Sequence, residues 1–306
     1  MSDVATSFFA RHEFLIRRLH SLSGLVPVGA YMTVHLVVNS SLINGANSFQ
    51  SNVNQIHSLG SLLPLVEWTT IFLPIIFHAV VGIWIIKSGK SNHQNYKYVA
   101  NWRYTIQRWT GVIAVLFIFG HVFHLHGWFH NEWWLKTVAE PLGMAQFRAY
   151  NAASSLASAM AGFVWPVFYL VGIVSCVFHF ANGVWTMGIT WGVWISPRAQ
   201  RYASYVCAAG GSLLLMIGLT ALAAAITTDV EEAKSIEDKM YNAKVASGEL
   251  TPNPHKRSGD EHHESESHEG DEEESDAKSE SQPEQPAPTQ AKADVAASEK
   301  VASKPE

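Results

Sequence analysis

The stretch PLVEWTTIFLPIIFHAVVGIWII, residues 64–86, decides the fold. It holds one carboxylate near its start and one histidine past its middle, and its other side chains are almost all apolar. A helix of this length, rising about 1.5 Å per residue, crosses roughly 30 Å of hydrocarbon. Because a backbone inside a bilayer must satisfy its own hydrogen bonds, the stretch is predicted to be a membrane-spanning helix.

Four further apolar runs have the same character. Together the five runs lie at about 22–42, 64–86, 109–129, 162–186 and 204–226. The predicted fold class is therefore an all-α membrane protein, a bundle of five transmembrane helices. Pro27, Pro74 and Pro166 lie within the runs, so local departures from α-helix are expected there.

The composition of the chain changes near residue 230. Residues 1–230 hold all 11 tryptophans, and 6 acidic against 12 basic residues, whereas residues 231–306 hold 20 acidic against 9 basic. The second region cannot bury enough apolar surface to offset its chain entropy. We therefore predict a membrane domain over 1–230 and a disordered acidic tail over 231–306, an asymmetry that the net charge of −5 hides.

The basic residues favour one orientation in the membrane. Ten of the 12 in the membrane domain lie in the N-terminal segment, between runs two and three, or between runs four and five. The positive-inside rule then puts the N-terminus in the cytoplasm, and five spans put the tail on the opposite face. The predicted protein is a multi-pass protein of the cytoplasmic (inner) membrane.

Four histidines lie deep inside four of the runs: His35, His78, His121 and His179. An ionisable side chain at that depth is costly and usually functional. Counting from the run midpoints puts His35 and His121 in one layer and His78 and His179 in another, about 10 Å away. Two matched imidazole pairs favour two bis-histidine haems enclosed by the bundle. For each histidine alone, a hydrogen bond to a carbonyl or a place in a proton relay is the alternative.

The two cysteines, Cys176 and Cys207, restrict the type of haem. Both lie in apolar runs, and no CxxC or CxxCH motif occurs. This pattern excludes a cysteine-ligated zinc or iron–sulfur site within the chain, and also covalently attached c-type haem. Any haem would be b-type, held by its ligands and by packing.

Two sets of residues are further candidates for binding. Arg18, His20, Ser21 and Ser23, at the start of the first run, could contact haem propionates, although arginines there could equally anchor to lipid phosphate. Glu67, at the outer end of the second run, could exchange protons with a quinone or simply reach interfacial water.

Three more residues follow the third run's histidine. His124, His126 and His130 are expected to approach the outer interface, where they would face headgroups or a quinone pocket. Trp128, near the same face, is expected to anchor the span at the interface and is a further candidate for the quinone site.

Six segments resemble the cytochrome b558 membrane-anchor subunit of succinate dehydrogenase, of the type with one five-helix anchor and two haems b. The resemblance covers about residues 8–226 in order and leaves out the tail. The segments are RRLHSLSGLVPVG (17–29), HLVVN (35–39), EWTTIFLPIIFHAVVG (67–82), NWRYTIQRWTG (101–111), FHFANGVW (178–185) and TWGVWISPRAQR (190–201).

The resemblance implies an electron-transfer subunit with no catalytic residue of its own. A flavoprotein subunit would oxidise succinate in the tricarboxylic acid cycle, and an iron–sulfur subunit would pass the electrons to this chain. They would leave on a membrane quinone, usually menaquinone in this branch. His78 and His179 would bind the proximal haem, nearest the iron–sulfur subunit, and His35 and His121 the distal haem. No nucleic-acid partner is expected.

One position departs from the related dihaem fumarate reductases. Their glutamate two residues before the fourth-helix ligand is replaced by Val177, which favours succinate oxidation over a fumarate reductase anchor running in reverse. A membrane transporter or proton channel with a histidine relay is a second hypothesis, and it predicts no chromophore. The cytochrome b anchor of a hydrogenase or formate dehydrogenase is a third, with different partners.

Overall fold

The computed structural model describes residues 8–89, 94–129, 131–250, 252–253 and 256–258. Regular structure within these residues is helical throughout. Five of the helices are long and apolar enough to cross a membrane, which confirms the predicted all-α fold and its number of spans. Spans 1 to 5 are Arg11–Asn44, Gly60–Ser88, Val99–His126, Val164–Thr190 and Pro197–Thr227.

The spans differ in length from the predicted apolar runs. Hydropathy marks only the part that crosses hydrocarbon, whereas a helix continues into the interface for as long as its backbone bonds persist. Span 3 therefore begins at Val99 rather than near 109. It ends at His126 because Gly127 takes a left-handed conformation, with φ of 78°, as a helix C-cap.

Spans 1 and 2 each contain a π turn near a proline. Proline has no N–H to donate, so the backbone pairs through a wider turn. The departures expected at Pro27 and Pro74 are found, whereas Pro166 lies in the first turn of span 4, where no N–H is needed. Span 1 comprises the helix Phe8–Ser23 from Arg11 onward, the π turn Gly24–Gly29, Ala30–Ser40 and the 3-10 turn Ser41–Asn44. Span 2 comprises the 3-10 turn Gly60–Leu62, Leu63–Glu67, the π turn Trp68–Phe72 and Leu73–Ser88.

Span 4 is central to the packing of the bundle. It contacts spans 3 and 5, while span 5 also packs on the Ala30–Ser40 part of span 1, and Phe8–Ser23 packs on Leu73–Ser88. Gly172 lets the ring of Phe117 approach the backbone of span 4, which brings spans 3 and 4 close together.

Three shorter helices cover the end of the bundle at which spans 1, 3 and 5 finish. They are Ala46–His57, Ala152–Ala159 and Val230–Ala246, and each contacts the other two. We call these three helices the cap and this end the cap end. Phe49, Leu156 and Ala233 belong to its apolar core. Residues 132–142 form a further short stretch of helical turns: Glu132–Trp134, Leu135–Ala139 and Glu140–Leu142.

The prediction of disorder from residue 231 onward is wrong for Val230–Ala246. Asp229 caps this helix, since its carboxylate accepts the backbone N–H of Glu232 at 2.8 Å. Ala233 and Ile236 then pack into the core that the cap shares. An average over the whole acidic region hides this short helix-forming segment. Residues 259–306 of the predicted tail lie outside the described residues.

Candidate functional site

The four intramembrane histidines meet in two pairs, the same pairs that the depth argument predicts. His78 on span 2 faces His179 on span 4, with ring centroids 6.1 Å apart and an angle of 88° between the rings. His35 on span 1 faces His121 on span 3 at 5.8 Å and 78°. We call these the proximal pair and the distal pair.

The spacing within each pair fits one metal ion held between two imidazoles. If each ring places one nitrogen about 2 Å from a shared metal, the two ring centroids lie about 6 Å apart. Both pairs have this spacing, and both join facing helices of a bundle, where side chains commonly build cofactor sites. The donor set therefore fits the two axial positions of a haem iron.

The proximal rings are oriented by backbone carbonyls. His78 Nδ1 donates to the carbonyl of His20 at 2.9 Å, and His179 Nδ1 donates to the carbonyl of Gln107 at 3.0 Å. Because a carbonyl can only accept, the proton of each ring must lie on Nδ1. The lone pair of Nε2 is then available to a metal, the usual arrangement for a ligating histidine.

The distal rings have side-chain neighbours instead. His121 Nδ1 lies 3.2 Å from the hydroxyl of Tyr169, and the same hydroxyl lies 3.1 Å from His124 Nδ1. The ring of His35 lies 5.5 Å from that of Tyr31, one turn earlier on span 1.

The two pairs are farther apart along the bundle than predicted. A Cβ on Gly111 of span 3 would lie 2.8 Å from His179, so Gly111 marks the proximal layer, ten residues before His121. On span 4, Tyr169 marks the distal layer, ten residues before His179. Ten residues of helix rise about 15 Å, rather than the predicted 10 Å. The prediction was low because span 3 begins at Val99, so its midpoint lies farther from His121.

A large cavity runs along the bundle beside the proximal pair. Its volume is about 1660 Å³, above the ~300–1,000 Å³ of an ordinary small-molecule site. His78 and His179 line it, mostly among apolar side chains. Its walls also include the basic residues Arg17, Arg18 and Arg108, and, toward the cap end, Glu67, His126 and Trp128.

The candidate propionate residues occupy different positions around this cavity. Arg18, His20 and Ser21 line it, and the ring of His20 stacks on His78 at 4.0 Å and 12°. Arg18 donates to the carbonyl of Thr190, while Ser21 donates to the carbonyl of Arg18. Ser23 instead donates to the carbonyl of His20 and lies 3.5 Å from His78 Nδ1, beside the ligand ring.

Sequence reasoning missed a polar network behind the proximal pair. The side chain of Gln107 donates to the carbonyl of His179 at 3.0 Å and accepts from Asn182 at 2.8 Å. Arg103 donates to Asn182 at 2.8 Å and lies over the ring of Trp185. The signal that could have revealed it is the four-residue spacing of 103, 107 and 111, which places them on one helix face.

The expectation that His124 faces headgroups is wrong, whereas His130 lies outside the described residues. The side chain of His124 is 1% exposed, and its ring stacks on Trp165 at 3.5 Å. His124 lies in the π turn Val122–His126, which begins directly after His121. A π turn is wider than an α turn, so it changes the direction in which the side chains that follow His121 point. An H-x-x-H spacing, which puts two histidines on one helix face, was the available signal.

Glu67 and Trp128 both line the cavity toward the cap end. Trp128 has a φ of 66°, uncommon for a residue with a large side chain, and its indole N–H donates to the carbonyl of Phe119 at 3.0 Å. His126, on the same wall, has its ring 6.2 Å from that of Phe72. These residues contribute one carboxylate, one imidazole and one indole to the mostly apolar lining of the cavity.

Fold and site together define a class: a five-span membrane protein that carries two facing histidine pairs. No family model matches the chain. It is similar to the succinate dehydrogenase cytochrome b558 subunit of Bacillus subtilis (strain 168), with 39% identity over 211 residues, which cover 69% of this chain and 96% of that one. The chain belongs to the family of succinate dehydrogenase cytochrome b558 subunits.

Proposed function

We propose that the chain is the membrane-anchor cytochrome b subunit of succinate dehydrogenase. It would pass electrons from an iron–sulfur partner subunit to a membrane quinone through two haems b. The observation that carries this proposal is the pair of facing histidine sites, whose centroid distances of 6.1 and 5.8 Å would suit two imidazoles that hold one haem iron. Succinate oxidation itself would take place on the flavoprotein subunit.

The chain's own residues would hold the two cofactors. His78 and His179 would bind the proximal haem, and His35 and His121 the distal haem. Bound there, haem b would supply reversible one-electron chemistry at two depths in the membrane. Arg17, Arg18 and Arg108, on the cavity walls, would neutralise the propionates. The nearby His20, Ser21 and Ser23 would complete the polar surroundings of the proximal site.

The quinone site would lie at the cap end of the cavity. Glu67, His126 and Trp128 line this mostly apolar cavity, and the Glu67 carboxylate could exchange a proton with the quinone oxygen. The bound quinone would be menaquinone, as the resemblance implies.

The orientation would follow the positive-inside rule. The N-terminus and the basic connections would then be cytoplasmic and would meet the flavoprotein and iron–sulfur subunits, while the cap would lie on the outer face of the cytoplasmic membrane.

The experiment is a haem count on the purified complex. We expect a b-type band after reduction by dithionite and two haems per chain, falling to one in His78→Ala and in His35→Ala. His126→Ala is the matched control, because this histidine at the end of span 3 is outside both pairs. It should keep two haems but reduce quinone more slowly. If the complex has no b-type band, or if both alanine variants keep two haems, the proposal fails, and a histidine relay in a transporter becomes the better reading.

The direction of electron flow has its own test. If electrons move outward to a quinone near the outer face, their transfer is coupled to the membrane potential, worth about 2.3 kcal/mol per charge per 100 mV. We therefore expect an uncoupler to lower succinate:quinone activity in intact membranes but not in the detergent-solubilised complex. An unchanged rate in intact membranes would argue against outward flow.

A further inference from the structure

The distal ligand His121 differs from both proximal ligands in the chemistry of its hydrogen-bond partner. The proximal rings donate to backbone carbonyls, which can only accept. His121 meets a hydroxyl, which both donates and accepts, and this hydroxyl also reaches a second buried histidine. The proposed axial ligation leaves Tyr169 and His124 without an assigned role.

The directions of these hydrogen bonds follow from the donor inventory. If Nε2 of His121 faces the metal, its Nδ1 carries the proton and donates to the Tyr169 oxygen. The single hydroxyl proton of Tyr169 is then directed at His124 Nδ1, 3.1 Å away. The result is a directed chain from His121 through Tyr169 to His124. Successive hydrogen bonds of this kind strengthen one another, so Tyr169 is a better acceptor when His124 accepts from it.

The hydrogen-bonded side chains of this series are buried and tightly packed. Tyr169 is 7% and His124 1% exposed, so water has little access to either side chain. The ring of Tyr169 packs edge-on against Phe117 at 5.6 Å, and Phe117 itself stacks on His121 at 5.7 Å. Trp165 stacks on His124, with ring centroids 3.5 Å apart. Such packing leaves the hydroxyl few alternative positions, as expected of a group that orients a ligand.

We propose that Tyr169, held by His124, is a positioning residue that orients His121 and sets the redox potential of the distal haem separately from that of the proximal one. This inference rests on the proposed haem ligation. Donation from Nδ1 makes an imidazole a more basic ligand, which favours the oxidised iron. Loss of the Tyr169 oxygen should therefore raise the midpoint potential of the distal haem.

The test is a redox titration of the purified complex, with the two haems followed by absorption and by electron paramagnetic resonance. Tyr169→Phe should keep two haems, raise the distal midpoint potential and move the distal resonance, while the proximal haem stays unchanged. The distal signals are identified as those missing from His35→Ala. His124→Phe, which keeps a flat ring against Trp165 but removes the acceptor, should shift the distal potential in the same direction by less.

Tyr31→Phe is the matched control, because it removes a hydroxyl from a ring 5.5 Å from the other distal ligand. It should leave both potentials in place. Two haems with unshifted distal signals in Tyr169→Phe would overturn the inference. If Tyr169→Phe loses the distal haem, the test is the distal midpoint potential of His124→Phe. An unshifted distal potential in His124→Phe would contradict the inference. A failure of the haem proposal itself looks different, because His35→Ala would then keep both haems.

Discussion

The proximal and distal pairs present nearly the same ring geometry to a metal, yet they are supported in different ways. The proximal rings depend on carbonyls of His20 and Gln107 and on a buried amide network beside a large cavity. The distal ring of His121 depends on the side chains of Tyr169 and His124. Carbonyl partners are tied to helix position, whereas side-chain partners can be replaced one at a time. The proximal site should therefore be sensitive to helix spacing and the distal site to single side chains.

The largest expected effect is at Gly111. Its missing side chain leaves room for the ring of His179, since a Cβ there would lie 2.8 Å from that ring. Gly111→Leu should abolish the proximal haem and spare the distal one, so the haem content per chain falls by about half. Gly210→Leu is the control, because a Cβ at Gly210 meets nothing within 4 Å. Loss of both haems, or of neither, would contradict the separate support of the two pairs.

The next effect is expected in the cap at Glu237. This carboxylate is fully buried, and it accepts the backbone N–H groups of Ala153 and Ser154 and the Ser154 hydroxyl. Glu237→Leu would leave these donors unpaired, at a cost of about 1–3 kcal/mol for each one. We expect faster limited proteolysis of Val230–Ala246 while the proximal haem is unaffected. The exposed Glu231→Gln provides the control, and equal proteolysis of the two variants would refute the expectation.

A smaller effect is expected at Asn182, in the network behind the proximal pair. Its side chain is 4% exposed and joins Arg103 to Gln107. Asn182→Ala should destabilise this region by about 1–3 kcal/mol, because buried polar groups lose their partners. On heating, the proximal haem band should disappear at a lower temperature than in the wild type, while the distal band is unchanged. Asn52→Ala, which removes a bond to Ser41 in the cap region, should not affect the proximal band.

The smallest expected effect is a pH dependence of the cap. Burial raises the pKa of Glu237 above its usual value, more than its accepted hydrogen bonds lower it. A raised pKa in the folded state means that the contribution of Glu237 to stability is greatest at low pH and is lost as the pH rises through that pKa.

The pH measurement is the proteolysis rate of the cap, compared at each pH with that of Glu237→Gln. The wild-type cap should become more susceptible than the variant as the pH rises. The neighbouring Asp238–Arg257 ion pair is present in both proteins and cancels in the comparison. A constant ratio across the pH range would show that Glu237 does not titrate as expected.

The membrane spans and the cap also differ in how well the sequence predicts them. The sequence predicts the spans and the two layers of histidines because a bilayer imposes the same apolar requirement on every residue that crosses it. The helix Val230–Ala246 was missed because its stability comes from Ala233, Ile236 and Glu237, which meet helices far away in the sequence. Composition cannot register a contact of that kind.

The sequence by itself determined the five spans and the two layers of histidines, because hydrophobic length and an ionisable group in hydrocarbon are properties of single segments. Only the tertiary structure decided the hydrogen-bond partners of three of the rings. The partner is a backbone carbonyl for His78 and for His179, and for His121 it is a hydroxyl that is shared with His124. The tertiary structure also decided the spacing of about 15 Å between the layers, because it shows that Gly111 lies beside His179 and Tyr169 beside His121. These features depend on register between helices, and register is set by packing between residues that are distant along the chain.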